Sequence, residues 1–149
     1  MTVLWKRPVS LEGLNALGQQ CLVSHLGIRF TEVGDKYLLA VMPVDERTRQ
    51  PFGLLHGGAS VVLAESMGSL AGWLTCEEGQ AVVGIEVSAS HHRAVTGGEV
   101  TGRCYPLHLG AQLQVWQTEI RNPRGKLCCT ARLTLSIQGL PTGHKKTGH

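Results

Sequence analysis

Charge is scarce in this sequence: Asp, Glu, Lys and Arg make up 17% of its 149 residues, and the net charge is only +3. A surplus that small and that scattered is not the footprint of a nucleic-acid binder; it suits a small anionic ligand. The opening "MTVLWKRPVS" has no apolar core, so a secretory leader is not expected. No run of membrane-spanning length is free of polar residues. Residues 54–74 come nearest, but His56, Glu65 and several glycines and serines interrupt them. The five cysteines are odd in number, and none shows the spacing of a metal site. Cys128 and Cys129 are neighbours, so on a strand they point to opposite faces and are poor partners for each other. Free, mostly buried thiols in a reducing cytoplasm are the expectation. There is no internal repeat and no linker.

What is present fits one folded domain, expected over 1–138, with the Gly-, Lys- and His-rich stretch 139–149 as a flexible tail. Hydrophobic residues make up 42% of the chain, and its nineteen glycines fall inside apolar segments as well as in turns. Leucines at 11, 14 and 17, with Ser10 as cap, predict a short helix over 10–20. "LGIRFTEV" (26–33) and "KYLLAVMPV" (36–44) flank Gly34-Asp35, a hairpin signal. The polar, proline-broken stretch 45–53 reads as a loop.

Next comes a long helix over roughly 56–75. It is small on nearly every side through Gly58, Ala59, Ala64, Gly68, Ala71 and Gly72, so a sheet can approach it closely. At 1.5 Å per residue it spans about 30 Å. Strands follow at 82–90, where Ile85, Val87 and Ala89 alternate with polar residues, then at 98–107, 112–120 and 126–138. In the last, Leu127, Cys129, Ala131, Leu133, Leu135 and Ile137 share one face, and Cys128 falls on the other. "NPRG" (122–125) is a turn. The expectation is an α+β fold in which a curved sheet, four of its strands consecutive and antiparallel, wraps one long central helix. The pattern does not fix strand order.

The segments "MPVDERTRQPFGLLHGGASVVLAESMGSLAG", "VVGIEVSASHHRAV" and "PLHLGAQLQVWQ" resemble the hot-dog-fold acyl-CoA thioesterases, in particular their bacterial PaaI-like branch of proofreading and naphthoyl-CoA enzymes. The similarity runs from about Trp5 to Ile137, and "QPFGLLHGG" followed by "AE" is its specific part. It implies a hot-dog fold that dimerises edge to edge and pairs into a homotetramer, with sites at the subunit interface. It also implies a cytoplasmic hydrolase that takes acyl-CoA, favouring aromatic acyl groups, or thioesters carried on an acyl or aryl carrier protein. Neither metal nor other cofactor is implied, coenzyme A being part of the substrate, and no nucleic-acid or membrane partner is expected.

Thioester hydrolysis needs a nucleophile or base and a donor for the oxyanion. Gly57 and Gly58 begin the long helix, where amide groups have no intrahelical partner and the dipole is positive. The Gly57 N–H is therefore assigned as oxyanion donor, in line with the resemblance. Glu65 is the candidate carboxylate, expected to be buried in its own fold but open to a cleft made by dimerisation. The competing account, a surface or salt-bridged glutamate, is disfavoured because an unpaired carboxylate on an apolar helix costs several kcal/mol. It lies about two turns, ~12 Å, beyond Gly57, so an interface site joining Gly57 of one subunit to Glu65 of the other is expected. Glu65 could attack directly or activate water.

Ser69, one turn on from Glu65, shares its face and could hold the carboxylate or a water, or simply pack. By resemblance, Gln50 and His56 help place the thioester; on sequence alone His56 could equally be a packing residue at the helix start. His91, His92, Arg93 and Ala94 end a strand. The two histidines point opposite ways, so anion contact with coenzyme A is favoured over metal binding. A second lip of the groove is expected at His108, Leu109, Gly110, Ala111, Gln112 and Leu113, and Gly84 is expected to border the channel. A solvated basic loop is the competing account of Arg93 and His108. Two rival functions share the scaffold. A dehydratase would carry a glycine-proline signature that is missing here, and a non-catalytic acyl-CoA-binding protein would need no carboxylate at 65.

Overall fold

A computed structural model describes residues 3–139; the expected tail lies almost wholly outside the described residues. Helix α1 (Leu11–Leu17) is capped as expected, the Ser10 hydroxyl accepting from the Gly13 N–H at 3.0 Å. It ends sooner than expected: the chain turns through Gln20 (φ 59°) into a one-turn helix, α2 (Leu22–His25). Four residues carry no periodic signal, which is why α2 was not foreseen. Strands β1 (Arg29–Val33) and β2 (Leu38–Pro43) form the expected hairpin, closed by the Gly34 N–H donating to the Tyr37 carbonyl at 2.9 Å.

After the loop comes α3 (Gly57–Thr75), nineteen residues and about 28 Å long. Strands β3 (Gln80–His91), β4 (Glu99–Leu109), β5 (Leu113–Arg121) and β6 (Leu127–Gly139) complete the described residues. All pair antiparallel in one six-stranded sheet of order β1-β2-β4-β5-β6-β3. The four later strands are antiparallel as expected, but β3 lies beside β6 rather than β4. It forms one edge of the sheet. His108 and Leu109, expected in a connector, extend β4.

The sheet closes around α3, the hot-dog arrangement. Leu63, Met67, Ala71 and Leu74 of the helix are buried against Leu133 and Leu135 of β6 and Trp116 of β5. The approach is close enough that a Cβ at Gly68 would sit 2.7 Å from Leu133 Cδ2, and one at Gly102 would sit 2.7 Å from Met67 Sδ. At Gly72 it would collide with both Leu135 and the Gln114 amide oxygen. That oxygen accepts from the Trp116 indole, and the Gln114 amide nitrogen donates to the Thr75 hydroxyl, both at 2.9 Å. A buried polar chain thus ties the last turn of α3 to β5.

Two details differ from the simple alternation. A bulge between Gly84 and Glu86 makes Ile85 an extra residue, 57% exposed, instead of a partner to Val87. A second register shift beside Ile120 turns Cys128 inward, its thiol donating to the Ile120 carbonyl at 3.1 Å. All five cysteines are free and four are buried. Burial pushes the Cys104 thiol up to about 12 and Cys129 up to about 11.

Among the described residues no helix is long and apolar enough to cross a membrane, and no group of three or more ligating side chains could hold a metal.

Two outcomes follow from this packing. Gly72→Ala is expected to lower unfolding free energy by about 1–3 kcal/mol despite alanine's better helix propensity, read from urea melts. Alkylation of the native protein at neutral pH is expected to label Cys21 alone, with the other four reacting only after unfolding, as mass spectrometry would show.

Candidate active site

The loop before α3 is built to present an amide. Gln50 accepts through its side-chain oxygen from the N–H groups of Phe52 (2.6 Å) and Leu54 (3.2 Å), which fixes the turn and leaves its NH2 group without a partner among the described residues. The His56 N–H donates to the Thr48 carbonyl at 2.8 Å, anchoring the helix start to a buried threonine. His56 is itself the N-cap: its Nδ1 accepts from the Gly58 N–H at 2.8 Å, so the ring proton is on Nε2. The carbonyl of His56 takes Ala59 and Ser60. The Gly57 N–H is left with no partner among the described residues, at the positive end of the dipole.

His91, at the end of β3, lies across Gly57. A Cβ there would stand 2.9 Å from His91 Nε2, so only glycine keeps this face open. His92 turns the other way, as expected, its ring 2.9 Å from the Thr130 hydroxyl. A cleft of about 430 Å3 lies here, lined by Gln50, Leu54, Gly57, His91, Arg93 and Ala94 among others.

Glu65 sits elsewhere. The expectation of a carboxylate buried in its own fold is not met: Glu65 is exposed and takes part in no ion pair among the described residues. The buried stripe of α3 runs through Ser60, Leu63, Ala64, Met67 and Gly68, and Glu65 falls outside it. It lines a second depression of about 300 Å3 with Leu17, Gly18, Val23, Ser66, Ser69 and Leu70. Ser69 shares this depression but forms no hydrogen bond with Glu65 among the described residues. Gly84, expected to border the channel, lies against this carboxylate: a Cβ there would lie 3.2 Å from Glu65 Oε1. The wall made by Leu17, Gly18 and Val23 was not foreseen. It comes from the α1–α2 segment, whose second helix has no sequence signal.

The expected second lip is remote from both. Leu109, Gly110 and Ala111 line a depression of about 270 Å3 at the far end of α3, with Lys6, Cys76 and Glu77. His108 packs under Gly110, Gln112 accepts from the Ile137 N–H at 2.9 Å, and Leu113 opens β5. One chain therefore holds the expected residues in three separate places. If His56 is a cap, His56→Ala should cost about 1 kcal/mol of stability, and His56→Asn, a favoured cap, should restore most of it; chemical denaturation measures both.

Comparison with known proteins agrees with this architecture. The family model described as thioesterase superfamily matches residues 52–129. The chain is 58% identical over 137 residues to a protein named proofreading thioesterase EntH of Cronobacter turicensis, covering 92% of this chain and 100% of that protein. It is also 58% identical over 135 residues to a 1,4-dihydroxy-2-naphthoyl-CoA hydrolase of Escherichia coli, covering 91% and 99%. A solved thioesterase structure from Haemophilus influenzae superposes with a TM-score of 0.92 at 53% identity, over 95% of this chain and 99% of that one. An amide donor left open at a helix start, on a sheet wrapped around that helix, is thus found in a chain that belongs to the thioesterase superfamily of hot-dog-fold thioester hydrolases.

Proposed function

We propose that this chain hydrolyses aromatic acyl-CoA thioesters in sites that two copies complete together. The observation that carries this reading is the separation of Gly57 from Glu65. They are eight residues apart on one helix, about 12 Å, and open into different depressions with no lining residue in common. Features of strand β3 support a second copy joining them. His91 lies over Gly57 and Gly84 lies against Glu65, both from the helix-facing side of β3. The outer edge of β3 is unpaired, and Val83 and Ile85 stand exposed along it, as does Phe52 in the loop. Antiparallel pairing of β3 with its copy, about a two-fold axis near Val87, sets each His91 opposite the partner's end of Gly84. That brings each Gly57 amide toward the other copy's carboxylate at position 65.

In such a site the thioester carbonyl oxygen accepts from the Gly57 N–H, with the Gln50 NH2 as a second donor. The Glu65 carboxylate takes a proton from water as the oxygen adds to the carbonyl carbon, or adds to it itself. Collapse of the tetrahedral species breaks the C–S bond, and the thiolate leaves as coenzyme A after protonation. The water route gives the free acid at once, whereas direct attack leaves an acyl–glutamyl anhydride that a water then hydrolyses to the acid and the Glu65 carboxylate. Arg93 and the 108–113 segment hold the coenzyme. Leu17, Val23 and Leu70 supply an apolar wall beside Glu65 for an acyl ring. The named activity of the Escherichia coli relative supports an aromatic acyl group, and the name proofreading thioesterase is consistent with thioesters on a carrier protein as the alternative. We place the protein in the cytoplasm as a pair of dimers, consistent with its free thiols.

Thiol release from benzoyl-, hydroxybenzoyl-, naphthoyl- and decanoyl-CoA tests the substrate class, with the aromatic esters expected to give the highest kcat/KM. Glu65→Gln is expected to lower kcat by about 10²–10⁴-fold while leaving the dimer intact. Mixing Glu65→Gln with Gln50→Ala subunits should then recover about a quarter of wild-type activity, since half the dimers are mixed and each carries one whole site. No recovery on mixing would place both groups in one chain.

A further inference from the structure

Beyond Arg93, a second arginine faces the coenzyme side of the Gly57 cleft, on a turn that the site described above does not include. Where that cleft ends, another of about 550 Å3 begins, and Arg93, Ala94 and Val95 wall both. Its opposite wall is the β5–β6 turn, Asn122, Pro123 and Arg124. No carboxylate lines it, and the guanidinium groups of Arg93 and Arg124 have no partner among the described residues. Neighbouring arginines are committed: Arg121 donates to the Gly125 carbonyl, Arg49 to the Thr96 carbonyl, and Arg47 pairs with Asp45.

The turn is held rigidly. Asn122 Oδ1 accepts from the N–H groups of Arg124 (3.0 Å) and Lys126 (2.9 Å), and Gly125 takes a positive φ of 78°. Pro123 packs on Gly98 so closely that a Cβ there would sit 2.8 Å from it. Arg124 is thus carried on a preformed frame at the mouth of the cleft, so less is lost on binding.

We propose that Arg93 and Arg124 form the two jaws of a phosphate clamp for the nucleotide end of coenzyme A, making Arg124 a binding residue for the thioester substrate. The inference rests on the acyl-CoA reading above. Two unpaired guanidinium groups facing one cleft call for a dianionic ligand, and a phosphomonoester carries about −1.5 to −2 charge near neutral pH in a geometry that guanidinium matches. Arg124 acts on binding and not on chemistry, because it lies outside the Gly57 cleft.

The test compares 4-hydroxybenzoyl-CoA with 4-hydroxybenzoyl-pantetheine, which lacks the nucleotide. Arg124→Ala is expected to raise KM for the CoA ester about tenfold with kcat unchanged, the loss of one charge-assisted hydrogen bond, and to leave the pantetheine ester unaffected. Arg124→Lys, which keeps the charge but not the fork geometry, should recover part of the loss, and thermal melts of both variants should match wild type. A 3′-dephospho-CoA ester assigns the contact: a vanishing penalty places it on the 3′-phosphate, a persisting one on the diphosphate. An unchanged KM for the CoA ester, or an equal rise for both esters, overturns the clamp. Calorimetry with free coenzyme A reads the same contact without hydrolysis. If wild type cleaves neither ester, the thioesterase reading falls, and a tenfold weaker affinity of Arg124→Ala for coenzyme A still decides the clamp.

Discussion

The close approach of the sheet to α3 is the constraint from which the rest follows. Leu133, Leu135 and Met67 occupy the space that side chains would need at Gly68, Gly72 and Gly102. With the helix pressed into the sheet along that line, its first turn is left open at one end of the molecule and its polar flank faces outward halfway along. The helix start offers an amide at Gly57; the flank offers a carboxylate at Glu65. Dispersion contacts at this density do not flex freely, so the two groups keep their separation.

Much of this was legible in the chain. The spacing of Leu11, Leu14 and Leu17, the Gly34 turn, the small-residue helix and the alternation of β6 each come from local geometry, and local geometry is what sequence encodes most directly. Sheet order is not local: nothing in residues 80–91 says they pair with 127–139 rather than with the strand that follows. The inward turn of Cys128 and the displaced Ile85 came from bulges, which shift a register without altering composition. The one-turn α2 was invisible for its length, and with it the wall beside Glu65.

The candidate site was read less well than the fold. Gly57, Gln50 and His91 gather at the helix start, and Gly84 touches Glu65, but the carboxylate stands in the open instead of inside the fold. The reason lies in the helix angle. Burial on a helix wrapped by a sheet depends on which side faces the strands, and a run of glycine, alanine and serine blurs that side. His56 also proved to have structural work, holding the Gly58 amide, which explains a histidine at a helix start without reference to chemistry.

The place of β3 in the sheet bears on how the chain is made. Its hydrogen-bonding partner β6 is the last of the described strands to be synthesised, so both rims of β3, with Val82, Val83 and Ile85, stay bare until β4, β5 and β6 have emerged from the ribosome. Such a ribbon is a template for mispairing with other nascent chains. Only when β6 arrives is one rim covered. Arrival of β6, not helix formation, is then the event that commits this sheet to its native shape, and loss of that strand would leave a sticky fragment instead of a smaller working protein.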